Sequence, residues 1–123
     1  MMMVEKNLDQ VISKYLDIIE IPSELKGYSY LKYAIALVCS DRSFCRKITK
    51  RLYPEIAKKF ETNPNGVASC IRLAIEKGWD KTCRKEEDPI EVLQIFGDEF
   101  YRVLPKNITF ISAIAEYIKL KDI

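Results

Sequence analysis

Apolar residues recur at intervals of three and four along most of the chain, and the interruptions fall at proline, glycine and polar clusters. Residues 5–20 place Leu8, Val11, Ile12, Tyr15, Leu16 and Ile19 on one side of an amphipathic helix. Ile21-Pro22 ends it, because a residue before proline is pushed out of helical geometry. Residues 28–39 predict a second helix. Its Tyr30, Leu31, Ala34, Ile35, Leu37 and Val38 are too apolar for a surface position, which makes it the expected central element of the core. Residues 41–47 are polar and basic, and Ile48, Leu52 and Tyr53 then predict a short helix ahead of Pro54.

Residues 48–79 predict two helices joined by a tight turn. Pro54 suits a first helical position, so the chain restarts a helix there, with Ile56, Ala57 and Phe60 sharing one face. Asn63 supplies an N-cap side chain and Pro64 fits the first turn of the following helix. In that second helix Val67, Cys70, Ile71, Ala74, Ile75 and Trp79 form the buried stripe. Asn65, Gly66, Ala68, Ser69, Arg72, Leu73 and Glu76 occupy the opposite face, which must meet water or a partner. Residues 80–89 are charged, lack apolar periodicity and read as a loop, with Glu86, Glu87 and Asp88 solvated. Pro89 opens a further helix through Ile90, Val92, Leu93 and Ile95 to Phe96, closed by Gly97. A connector over 98–106 carries Phe100, Tyr101, Val103 and Leu104. The last helix runs over 109–120 with Phe110, Ile111, Ile114, Tyr117 and Ile118 apolar. Nothing over 80–89 alternates like a strand. The expected fold is all-α: one domain over residues 1–123, a compact bundle of about six helices with an embedded helix-turn-helix near 54–79.

Charge sharpens this picture. The net charge is only +2, yet residues 42–85 hold twelve Lys/Arg against four Asp/Glu, and the rest of the chain holds eight against fourteen. A basic middle between acidic ends suits a phosphate-binding face, since binding DNA neutralises phosphates and releases counterions. Two helices joined by a short turn, the first lined with lysines, supply what a helix-turn-helix reader needs. The plain alternative is a pair of helices within an α-helical core, their charges solvated.

Other chemistry finds little support. The chain has no histidine, GxSxG elbow, phosphate-cradling glycine loop or HExxH pair, so catalysis is not expected and no cofactor is implied. Cys39, Cys45, Cys70 and Cys83 lack CxxC spacing, which disfavours a zinc site. The Asn107-Ile108-Thr109 match to a glycosylation acceptor is read as a helix start. No membrane span or signal peptide stands out, and a soluble cytoplasmic protein without a small-molecule substrate is expected.

Several blocks then point one way. KGYSYLKYAI over 26–35, ITKRLYPEIAKKF over 48–60, the V-x-x-x-I-R-x-A-I-E pattern over 67–76, Trp79, the Phe96-Gly97 pair and the closing segment over 107–120 resemble, in order, one family. It is the C-terminal DNA-binding effector domain of the stage-zero sporulation response regulator of endospore-forming bacteria, and the resemblance spans roughly residues 18–121. It implies an all-α domain with an embedded helix-turn-helix that binds double-stranded DNA, as a homodimer or as tandem copies side by side. In that family a phosphorylatable receiver domain precedes the effector domain. The chain opens at Met1 without one, so gating by phosphorylation in cis is not expected.

The resemblance weakens on the reading face. The family's recognition helix reads close to SRVERAIRHAIE, and positions 65–76 here read NGVASCIRLAIE. Of the exposed readers only Arg72 is kept. The family's other two arginines are Gly66 and Ser69, its glutamate is Ala68 and its histidine is Leu73. Arg72, Ser69, Asn65 and Leu73 are the expected base readers. Asn65 suits a phosphate or an adenine edge and Leu73 a thymine methyl, though plain helix surface accounts for either. Lys50, Lys58 and Lys59 match family lysines and, with Arg51 and Thr62, are the expected phosphate contacts. Two functions remain in view: a sequence-specific regulator with altered specificity, and a degenerate paralogue that kept the fold for dimerisation or antagonism without reading DNA.

Overall fold

The computed structural model describes residues 2–85, 90–97 and 103–121, with side chains from Asn7 onward. Its α-helices are α1 (Met2–Ile18), α2 (Lys26–Ser40), α3 (Tyr53–Lys59), α4 (Pro64–Cys83), α5 (Ile90–Phe96) and α6 (Asn107–Lys121). A 3-10 turn (Arg42–Arg46) and a π-turn (Ile48–Leu52) connect α2 to α3, and no strand occurs among the described residues. The all-α bundle expected from the pattern is what the chain forms.

Helix α2 is the hub, packed against both α4 and α6. Its Tyr30, Leu31, Ala34, Ile35 and Val38 are buried, as are Val67, Ile71, Ala74 and Ile75 of α4 and Phe110, Ile111, Ile114 and Ile118 of α6. The crossing of α2 and α4 requires Gly27: a Cβ there would lie 2.2 Å from the Cys70 carbonyl oxygen. Trp79, Phe96 and Phe110 join α4, α5 and α6, with Trp79 edge-on to Phe96 at 4.9 Å and Phe96 stacked on Phe110 at 5.4 Å.

Three expectations are refined. The polar and basic segment carries the 3-10 turn at Arg42–Arg46: Asp41 accepts from the Ser43 amide at 3.0 Å and caps it, and its Phe44 is buried. Helix α4 does not end at Trp79 but continues to Cys83, because Gly78 and fully buried Thr82 extend the inner stripe with small and polar residues that hydropathy does not count. Of the face that Ile56, Ala57 and Phe60 share, Ile56 and Ala57 are buried, whereas Phe60 stands 36% exposed, edge-on to Tyr30 at 5.0 Å and to Tyr33 at 6.0 Å. Pro89, the acidic run over 86–88, Phe100 and Tyr101 lie outside the described residues.

The far end of α4 is fastened to the end of α1. Helix α1 closes with Glu20 at φ 66, the Ile21 amide donating to Leu16 O and the Glu20 amide to Asp17 O, both at 3.0 Å, which satisfies carbonyls the helix leaves open. Against this turn Gly78 brings the α4 backbone close to Ile19 and Ile21, and Thr82 Oγ1 donates to Ile19 O at 2.6 Å. Lys85 pairs with Glu20 at 2.7 Å.

Candidate nucleic-acid interface

The turn between α3 and α4 is built by local chemistry. Helix α3 ends with Glu61 at φ 53, and the Thr62 amide donates to Ala57 O at 2.9 Å, a closure that points the chain back across α3. Asn63 Oδ1 then accepts from the Gly66 amide at 2.7 Å, so the expected N-cap is in place and α4 starts at Pro64. Upstream, Pro54 has no amide hydrogen to give the Lys50 carbonyl. The wider π-turn over Ile48–Leu52 lets the chain enter α3 around it.

On α4 the non-core face divides into two stripes. Asn65, Ser69 and Leu73 stand at successive four-residue steps and are exposed, Leu73 at 46%. Ala68 and Arg72 form the neighbouring stripe, which is half-buried against the start of α6. There Arg72 donates to Pro105 O at 2.6 Å and to Asn107 Oδ1 at 3.4 Å, and its Nε lies 3.5 Å from Glu76. Asn107 Nδ2 donates in turn to Ala68 O at 3.1 Å and to the Tyr53 hydroxyl at 2.9 Å. Burial pushes the Tyr53 phenol up from its ordinary pKa. Asn107 thus joins α3, α4 and α6. The sequence marks it only as a helix start, and nothing in the pattern signals its partners.

The expected readers therefore separate. Asn65, Ser69 and Leu73 share one open stripe, whereas Arg72, only 33% exposed, turns its guanidinium toward Pro105. Among the expected phosphate contacts, Lys50, Lys58 and Thr62 are exposed, and Lys59 lies over the Tyr33 ring at 5.7 Å. Arg51 differs: it pairs with Asp41 at 3.0 Å, donates to Ser43 Oγ and stacks 4.1 Å over Phe44. Ser43, through its hydroxyl and its amide, and then Arg51 hold the Asp41 carboxyl below its ordinary pKa.

Helix, tight capped turn and a longer helix with an exposed polar stripe, all seated on a helical core, form a helix-turn-helix, the arrangement that DNA readers of this class use. The chain matches the family described as sporulation initiation factor Spo0A C terminal over residues 12–118. It belongs to that family of transcription-factor effector domains, which is a DNA-binding family and not an enzyme family. Among the described residues no helix is long and apolar enough to cross a membrane.

Proposed function

We propose that this protein is a cytoplasmic, sequence-specific transcriptional regulator whose α4 enters the DNA major groove with a specificity altered from its family's. The exposed Asn65–Ser69–Leu73 stripe, standing beside the capped turn and the exposed Lys58, carries the proposal. Asn65, Ser69 and Leu73 meet base edges, while Lys50, Lys58, Lys59 and Thr62 meet phosphates that fix position without specifying sequence. Arg51 and Arg72 act by holding the π-turn and α4 in place, with about a third of the Arg72 side chain left for the edge of the groove. Copies bind side by side on DNA, as the resemblance implies. Fluorescence anisotropy with labelled duplexes across a salt series tests the reading. Tight binding at low salt that weakens steeply as salt rises is expected, and absence of binding to every duplex at low salt would end it.

A second reading draws on Arg72 alone. With its one family arginine turned inward, α4 has no free guanidinium on the open stripe, as in a paralogue kept for dimerisation or antagonism. Leu120, 75% exposed at the end of α6, offers such a surface. Co-purification with a full-length family member, together with no duplex binding, would favour this reading over the first.

A further inference from the structure

Resting on the proposed docking of α4, the structure also bears on which bases that helix reads. From Asn65 to Leu73 the helix rises about 12 Å, the height of about three to four base pairs. Over that span the open stripe offers a carboxamide, a hydroxyl and an isobutyl group. Gly66 beside it carries no side chain, and the Asn63 carboxamide is occupied as the N-cap.

Guanine shows two acceptors to the major groove, O6 and N7, and is read best by a cationic side chain that donates to both. Such a side chain is missing from this stretch of stripe. The nearest guanidinium, that of Arg72, is committed to Pro105 O at 2.6 Å and to Asn107, with Glu76 at its Nε. Swinging it into the groove would strip the Pro105 carbonyl and the Asn107 side-chain oxygen of this donor. Lys77 continues the stripe a turn beyond Leu73, but there α4 is already anchored through Gly78 and Thr82 to the end of α1. Helix-turn-helix readers contact bases through the first turns of the recognition helix, which leaves Lys77 to a phosphate. Adenine presents an acceptor and a donor, N7 and N6, that match a carboxamide, and thymine presents its C5 methyl, which matches an apolar side chain.

We infer that α4 reads a short core of A·T pairs, with Asn65 on an adenine edge and Leu73 against a thymine methyl, and that Arg72 positions the helix without reading guanine. Selection of bound duplexes from a random pool, followed by anisotropy on the enriched sequence, tests this. An enriched core of A·T pairs is expected. Replacing its thymines by deoxyuridine should weaken the wild type about fourfold, the worth of one buried methyl, and leave Leu73→Ala unchanged. Asn65→Ala should flatten the adenine preference, whereas Arg72→Gln should keep the base preference while lowering the thermal midpoint. A core that requires guanine, or a guanine preference that disappears in Arg72→Gln, overturns the inference. Binding without base preference overturns it and leaves DNA binding standing. Binding to no duplex at low salt overturns both.

Discussion

At Arg51 a guanidinium stacked over Phe44 also holds Asp41 and Ser43, so a charge that counts toward the basic middle of the sequence is spent inside the connection before α3. Lys58 bears the same formal charge and, among the described residues, has no ion-pair partner. Planar guanidinium groups suit fixed, multi-point contacts and ammonium groups suit mobile ones, and this division follows that chemistry. The Asp41 pKa is lowered on folding, so its contribution to stability is complete above the ordinary carboxylate pKa and is lost as pH falls through the lower folded value. The stability gap between the wild type and Asp41→Asn should therefore stay constant at neutral pH and close only below about pH 4, as followed by urea denaturation at a series of pH values. Glu61 sits at φ 53, where an L-residue with a Cβ is disfavoured by about 1–2 kcal/mol. Glu61→Gly relieves that strain but loosens the unfolded chain, and a net stabilisation of about 0.5–1 kcal/mol is expected, read as a rise in thermal midpoint.

Among the elements, α4 does two jobs along its length. Its first turns carry the open stripe, and its last turns are fastened to the end of α1 through Gly78, Thr82 and, just past the helix, Lys85. Thr82→Val keeps the shape and removes the hydroxyl, which leaves the Ile19 carbonyl buried without that donor. A loss of about 1–3 kcal/mol is expected in chemical denaturation. Gly27→Ala should cost more than Gly78→Ala, since the added methyl meets the Cys70 backbone carbonyl at 2.2 Å in the first case and the movable Ile21 Cδ1 at 2.5 Å in the second. The legible parts of the fold were those written in large apolar residues and proline. The core stripes of α2, α4 and α6 followed from spacing, and the Asn63 cap and the restart near Pro54 from residue type. What spacing missed was held by small or polar groups: the last turn of α4 by Gly78 and Thr82, the 3-10 turn by Asp41 and Ser43. The same limit applied at the interface. Position 72 falls on the outer face by periodicity, but the proximity of Pro105 and Asn107, more than thirty residues on, is a tertiary fact that no local pattern contains.

For the molecule as a whole, the proposed interface sets exposed lysines on the first helix of the hairpin and a nearly uncharged reading stripe on the second. Affinity should then come mostly from phosphates. Replacing Lys58 and Lys59 together by glutamine should lower the slope of log affinity against log salt by about 2 in magnitude, while leaving the ranking of duplex sequences unchanged in the same anisotropy assay. The fastening of α4 onto the end of α1 has one more consequence. A duplex that clamps the reading helix also steadies what that helix leans on, so amide hydrogens in α1 should exchange more slowly in the complex, and a change that frays α1 should be felt as faster dissociation.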